Sequence, residues 1–351
     1  METKAVTMEN PFSLSFGREP ALFLGRDAEY QEIVEAFSST IPVSQTFMIT
    51  GVRGSGKTAL LSRLHHHFGA LSNWMVLNLN PERNLLFQAR TLLAQELKMS
   101  EVSGFEISTP VGGVGLTGKD RPEDEEILVR NLLRRAADKS RKVLFCIDEV
   151  TNNKTVKEFS AAFQIMIREE LPVYMLMTGL YDNIENLQNE KSLTFLYRAP
   201  KLRLEPLSIA AVSFEYQKVF GTANSAAKRL AELTCGYPYA FQLLGYLYWK
   251  SLNGGQENYM EEYKVKLAEN SYEKIWSECS RNDKSILRAM ADSDEVEVKV
   301  QDIRDSLKMT SNTFTTYRVR LMRKGLIKAT SHGYIAFALP MFSEFVTAFA
   351  E

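Results

Sequence analysis

With 351 residues, 45% of them apolar and 24% charged, the chain is long enough for two or three domains and has the composition of an ordinary globular protein. Its formal net charge of −1 excludes a chain-wide affinity for polyanions, so any basic site must be local. Three scattered cysteines without a CxxC pair exclude a disulfide framework, and no apolar run approaches the ~18 residues needed to span a bilayer.

Cys146, Cys235 and Cys279 are expected to be reduced and mostly buried. The first residues, METKAVTMEN, lack the basic-then-apolar profile of a signal peptide, so a cytoplasmic protein with no membrane partner is expected. Residues 1–20 hold Pro11, Gly17 and Pro20 and little periodicity, and they predict an extended arm laid over the next domain. A helix follows, with Asp27 as its expected cap and Ile33, Val34 and Phe37 at helical spacing.

Residues 46–58, TFMITGVRGSGKT, organise the rest of the chain. Five strand-like residues lead into Gly51, four further residues, Gly56, Lys57 and Thr58, and an amphipathic helix begins at once. This is the P-loop pattern in a strand–loop–helix context. Gly51, Gly54 and Gly56 let the backbone curl so that its N–H groups point at phosphate oxygens, and the helix N-terminus adds a positive dipole. Lys57 is expected to reach the β- and γ-phosphates and the Thr58 hydroxyl to ligate Mg²⁺. The expected phosphate contacts run through Gly51, Val52, Arg53, Gly54, Ser55, Gly56, Lys57, Thr58 and Ala59. A Gly-rich turn capping an ordinary helix is the alternative; the flanking strand and helix favour nucleotide.

A strand at Trp74–Leu79, a turn at Asn80-Pro81 and a helix from about Asn84 to Leu97 continue in βαβ units, which imply a parallel sheet covered by helices. Residues 103–120 interrupt them with Gly112, Gly113 and Gly115, an expected inserted hairpin that either meets a partner or merely connects. After a helix over about Asp124–Lys139, the apolar run KVLFCIDEV (142–150) ends in Asp148 and Glu149. Some 90 residues past a P-loop, the first acid suits Mg²⁺ and the second suits polarising water for attack on the γ-phosphate.

A helix (Val156–Glu169) precedes a second buried strand over 172–180, where Thr178 is either a polar sensor of the γ-phosphate or a helix-capping hydroxyl. Arg198 stands just before a short strand. From Pro206 the pattern is helical, with Gly236-Tyr237-Pro238 between two helices of a small lid. The segment LNGGQ (252–256) superficially matches the signature loop of ABC transporter ATPases, but it falls after the Asp-Glu strand and is rejected. Three consecutive histidines, His65–His67, point in three directions on one helix and suit a solvated face.

The last 80 residues read as helix (Asp283–Ala291), short helix (Val300–Leu307), turn MTSN, helix (Ser311 or Asn312 to Lys324) and a hairpin turning at Ser331-His332-Gly333. That is the order of a winged helix. Over 308–328 stand six cations, Lys308, Arg318, Arg320, Arg323, Lys324 and Lys328, and no acid. Such a footprint suits double-stranded DNA, with Asn312, Thr313, Thr315 and Thr316 at the helix start within reach of bases or phosphates. A winged helix used for protein contact, with a solvated basic face, is the alternative.

Taken together, FLGRD (23–27), GVRGSGKT (51–58), FCIDEV (145–150), CGYPYAFQLLG (235–245) and YRVRLMRKGLI (317–327) make the chain resemble AAA+ ATPases of the initiator type. More narrowly it is similar to bacterial and archaeal relatives of origin-recognition ATPases, a group bordering the STAND signalling ATPases. The resemblance implies an α/β fold, with a P-loop NTPase (AAA+-like) parallel-sheet core over 21–205, a helical lid over 206–270 and a winged helix over 271–351. It also implies that Phe23, Leu24, Gly25 and Arg26 border an adenine, that Tyr237 and Pro238 face the nucleotide from the lid, and that Arg198 is an arginine finger for a neighbouring subunit. For Arg198 a surface ion pair is the competing expectation.

One departure bears on activity. Initiator ATPases usually carry a lid arginine at the γ-phosphate, whereas Gly236-Tyr237-Pro238 is closer to the GxP element of STAND proteins. The expectation is therefore a slow ATP/ADP switch that binds duplex DNA and assembles across the ATP site, or a signalling ATPase whose winged helix contacts protein.

Overall fold

Strand β1 (Thr46–Thr50) is buried along its whole length and forms the hinge of the architecture. A computed structural model describes residues 9–15, 17, 19–98, 124–255, 258–293 and 295–349; the hairpin expected over 103–120 lies outside them. In chain order the first part comprises α1 (Asp27–Ser38), β1, α2 (Lys57–Gly69), β2 (Trp74–Leu79), α3 (Leu85–Glu96), α4 (Glu125–Asp138), β3 (Lys142–Ile147), α5 (Lys154–Arg168), β4 (Val173–Gly179), α6 (Tyr181–Gln188) and β5 (Lys201–Arg203).

The five strands are all parallel, in the order β2-β3-β4-β1-β5. Their period-2 alternation feeds two apolar layers. Val143, Phe145 and Ile147 pack on one face under α3, α4 and α5, while Leu144 and Cys146 join Phe47, Ile49 and the α1–α2 layer on the other. One strand therefore separates the P-loop strand β1 from the acid-ended strand β3. That strand is β4, with Ile49 in register with Thr178 and Ile147 with Met177. Because all strands run one way, Gly51, Asp148 and Thr178 reach the same sheet edge, where ligands of such sheets bind.

The α1 boundary differs from expectation. Arg26, at φ +88°, is the capping position and makes no side-chain cap, and Asp27 lies in the first turn, where its charge suits the helix dipole. The Arg26 guanidinium is engaged elsewhere, donating to the Ser55 carbonyl at 3.2 Å.

Four helices follow, α7 (Ile209–Phe220), α8 (Asn224–Glu232), α9 (Pro238–Leu252) and α10 (Tyr259–Leu267). The chain closes with α11 (Glu273–Ser277), α12 (Arg281–Ala291), β6 (Val298–Lys299), α13 (Val300–Ser306), α14 (Ser311–Arg323), β7 (Ile327–Ala329), β8 (Tyr334–Phe337) and α15 (Phe342–Ala348). A short antiparallel sheet β6-β8-β7 completes this end. The helix and hairpin order matches the sequence reading, while β6 and α15 had no clear pattern of their own because each is shorter than two full helical turns. Helix α12 begins with a capping box in which the Ser280 side chain and Asp283 bond each other's backbone N–H.

One continuous apolar core joins Phe12 of the arm, the helices α7–α10 and the C-terminal module through Phe342 and Val346. Phe12 stacks on Phe220 at 5.6 Å and meets Tyr216 and Phe241 edge-on. Its ring fills the space above Gly245, where a Cβ would lie 2.4 Å from it. The arm is thus built into the core of α7–α10.

Candidate functional site

The end of the sheet opens into a cleft of about 690 Å³, lined by Leu14 of the arm, Leu22, Phe23 and Leu24 just after it, the P-loop, Asp148, Glu149 and the start of α9. Gly54 and Gly56 both take positive φ, +77° and +91°, and the turn delivers the first N–H groups of α2 to the cleft without intrahelical partners. Lys57 is buried at 7% exposure, its Nζ donating to the carbonyls of Gly51 and Val52 at 3.1 Å each. Burial lowers its pKa to about 8, although Asp148 and Glu149 pull the other way.

The acids of the β3 end are held by three neighbours. The Thr58 hydroxyl donates to Asp148 Oδ2 at 2.8 Å, and the Thr178 hydroxyl donates to Asp148 Oδ1. The Glu149 N–H is shared between Asp148 Oδ1 and Thr178 Oγ1, both at 3.1 Å, and Glu149 itself sits at φ +53°. Its carboxylate projects outward at 67% side-chain exposure and pairs with Arg53 at 3.7 Å. Thr58 and Asp148 form a compact set of hard oxygen ligands that fits Mg²⁺, and the exposed Glu149 carboxylate stands beside it.

The lid reaches this site through its Gly-Tyr-Pro turn. Tyr237 Oη, fully buried, donates to the Arg53 carbonyl at 2.6 Å and shares a 2.7 Å bond with Ser271, while the Tyr239 N–H donates to the Gly54 carbonyl at 3.2 Å. A Cβ on Gly54 would lie 2.2 Å from Tyr237 Oη. Phe23, Leu24, Arg26, Arg53, Gly54, Ser55, Gly56, Lys57, Thr58, Ala59, Tyr237 and Pro238 all line the one cleft.

Other expected site residues lie elsewhere. Gly25 is not among the lining residues, and Gly51 and Val52 border a second cavity of about 290 Å³ behind the P-loop, where Val52 meets Gly325 of the C-terminal module. Thr178 is fully buried behind Asp148, so its hydroxyl orients the acids from beneath. Arg198 is outside the chain's own cleft, on an exposed hollow with Tyr197 and Asn189.

Helix α14 divides into two. Asn312, Thr313, Thr315 and Thr316 are exposed at its start, with Thr313 tied to the Thr310 cap and Thr316 bonded back to the Asn312 carbonyl. Arg318 is half-buried among them. Arg320, Arg323 and Lys324 at the other end face the acids of α6: Arg320 and Lys324 each lie 3.0 Å from Asp182, and Arg323 lies 3.5 Å from Glu185. These three cations, expected on an open nucleic-acid face, are paired with α6 because α14 docks against it.

Sequence reasoning missed Gln242, whose Oε1 accepts from the Ser13 N–H at 3.0 Å and whose Nε2 donates to the Leu22 carbonyl at 2.7 Å. It clamps both ends of the arm's cleft-lining segment to α9, across 229 and 220 residues, and nothing local marks it. Glu278, 3.2 Å from Arg53, was missed for the same reason. The three histidines scatter as expected, His67 bonding Tyr30 Oη at 2.8 Å and His66 lying 3.8 Å from Glu19.

Comparisons with known proteins bear on the fold. Residues 22–169 match the AAA ATPase domain family, and residues 269–346 match a family described as a domain of unknown function. No curated protein sequence matches the chain. Among solved structures, the chain is similar to the Walker-type ATPase PABY2304 of Pyrococcus abyssi, with a TM-score of 0.61 at 17% identity over 93% of this chain and 96% of that one. The Orc2 protein of Aeropyrum pernix, solved as ADPNP–ADP complexes, gives 0.56 at 12% identity over 93% and 94%. Cdc6p of Pyrobaculum aerophilum gives 0.50 at 12% identity over 96% of each chain. The fold is therefore that of the P-loop AAA+ ATPases. No helix of the described residues is long and apolar enough to cross a membrane.

Proposed function

We propose that this AAA+-type chain is a nucleotide switch: it binds Mg-ATP in the cleft, hydrolyses it slowly, and binds duplex DNA through a C-terminal module read as a winged helix. The observation that carries the reading is the convergence of Lys57, Thr58, Asp148 and Glu149 at one end of a cleft walled by arm and lid. The ADPNP–ADP complexes of the Aeropyrum pernix relative support ATP and ADP as ligands.

In this reading Lys57 and the N–H groups at the start of α2 bind the β- and γ-phosphates. Thr58 and Asp148 hold Mg²⁺, which neutralises phosphate charge when bound. Glu149 orients a water and accepts its proton, and Thr178 keeps Asp148 and Glu149 in register from below. Phe23, Leu24 and the arm enclose the base. Slow turnover is supported by the outward-facing Glu149, paired with Arg53, and by a lid that presents Tyr237 and Pro238 at the position where an arginine would speed transfer. Arg198, remote from its own cleft, suits a role across an interface with a second copy.

The test is a Glu149→Gln variant. It is expected to bind Mg-ATP within a few fold of wild type while losing about 100-fold or more in turnover, the usual contribution of a general base. Unchanged turnover would remove Glu149 from the chemistry. For DNA, anisotropy titrations with a labelled duplex should show binding that weakens steeply with salt; no binding at low salt, with or without Mg-ATP, would remove DNA from the account.

Lys57 adds a pH signature. Phosphate beside its ammonium raises the pKa from about 8, so the complex keeps a proton that the free protein gives up. Affinity should be flat below pH 8 and fall above it, by up to about tenfold per unit until the raised pKa is reached. Calorimetry with ADP at pH 7 and pH 9, in buffers of differing ionisation heat, should show proton uptake only at the higher pH.

A further inference from the structure

We propose that α6 stands in for a nucleic-acid backbone against α14, so that Asp182 and Glu185 mask half of the DNA-facing helix whenever the C-terminal module is docked. The inference rests on the reading of α14 as the DNA helix and adds an intramolecular competitor to it.

The two helices present matching charge stripes. Arg320, Arg323 and Lys324 are spaced i, i+3 and i+4 and share one face of α14; Asp182 and Glu185, three apart, share one face of α6. Asp182 receives both Arg320 and Lys324 at 3.0 Å, and Glu185 receives Arg323 at 3.5 Å. The Arg323 guanidinium also lies over the Tyr181 ring, 5.5 Å from its centroid. Half of the six cations over 308–328 are thereby engaged. Asp283, fully buried in the C-terminal module itself, approaches Arg320 and Lys324 at 3.7 and 3.6 Å and keeps them aimed at this face.

The docked end of α14 is also wired to the nucleotide cleft. Arg203, at the end of β5, donates to the Met322 carbonyl at 2.6 Å, and Gly325 lies against Val52 of the P-loop. Helix α6 starts two residues after Gly179, the end of the strand that carries Thr178, whose hydroxyl bonds Asp148 at the end of β3. Both sides of the mask thus adjoin elements that border the cleft. Meanwhile Asn312, Thr313, Thr315 and Thr316 in the first half of α14 stay open. A docked module offers duplex DNA only that half, and full engagement requires phosphates to displace the α6 carboxylates.

Anisotropy titrations of the full chain with a labelled duplex test this across a salt series. Asp182→Asn combined with Glu185→Gln removes the competing charge and keeps side-chain shape. It is expected to bind DNA about tenfold more tightly, since each partly exposed pair broken is a modest cost. It should also show a steeper salt dependence, because freed cations release more counterions. Glu185→Lys alone, a change at a half-buried position, should move in the same direction. Equal affinity and equal salt slope in all three proteins overturns the mask while leaving DNA binding in place. Absence of duplex binding in all three, at low salt, overturns the mask and the DNA reading together.

Discussion

Lys57→Ala should lower affinity for Mg-ATP and Mg-ADP by about 100-fold or more, because two charge-assisted contacts to phosphate are lost at about 1.5 kcal/mol or more each. The same substitution should not destabilise the free protein. The residue is 7% exposed, its ammonium is held by two neutral carbonyls, and burial already lowers its pKa. Deleting it removes a desolvated charge together with the bonds that partly offset it. The expected pattern is therefore a melting temperature in the absence of nucleotide at or near that of wild type, with the nucleotide-dependent rise in that temperature abolished. Calorimetry and thermal melts read both. Wild-type affinity in a folded variant would mean that the turn at 51–58 binds something other than a polyphosphate.

Gly236→Ala should be the most damaging single methyl in the lid. Gly236 sits at φ +72°, and a Cβ there would lie 2.3 Å from the Leu207 carbonyl oxygen and 3.1 Å from its nitrogen. That backbone is committed, since the Leu207 N–H donates to the Gly236 carbonyl at 2.7 Å. Left-handed strain and a backbone clash together should cost about 3 kcal/mol or more. They should also pull Tyr237 off the Arg53 carbonyl, weakening nucleotide binding along with the fold. Gly221→Ala is the control: Gly221 also has positive φ, +60°, but no atom lies near its missing Cβ, so only the strain of about 1 kcal/mol remains. Equal melting temperatures for the two variants would refute the packing argument at the lid hinge.

Much of the site could be read from local patterns. Gly51, Gly56, Lys57 and Thr58 are contiguous, and the strand before them and the helix after them supply their own apolar signals. Asp148 and Glu149 end a run of buried residues, so their arrival at the sheet edge follows from strand direction. Thr178 was legible as a polar residue at a strand end, but not as the group that fixes Asp148 and Glu149 from beneath; that required β4 to lie between β1 and β3. Arg26 was legible as part of a motif, yet its guanidinium contact to Ser55 depends on a left-handed backbone that no periodicity reveals.

What the amino-acid order decided alone is the chemistry of contiguous segments: a phosphate-wrapping turn, a strand that ends in two acids, a helix with six cations near it, and the absence of any long apolar span. Tertiary structure decided which of these face one another. Gln242 grips the arm across more than 200 residues, and Arg320 meets Asp182 across 138. Such pairs have no signature in sequence, because an exposed cation and a docked one look identical until a second helix is laid against them. The periodicity of α14 gives its faces, and only packing determines which face meets water and which meets the acids of α6.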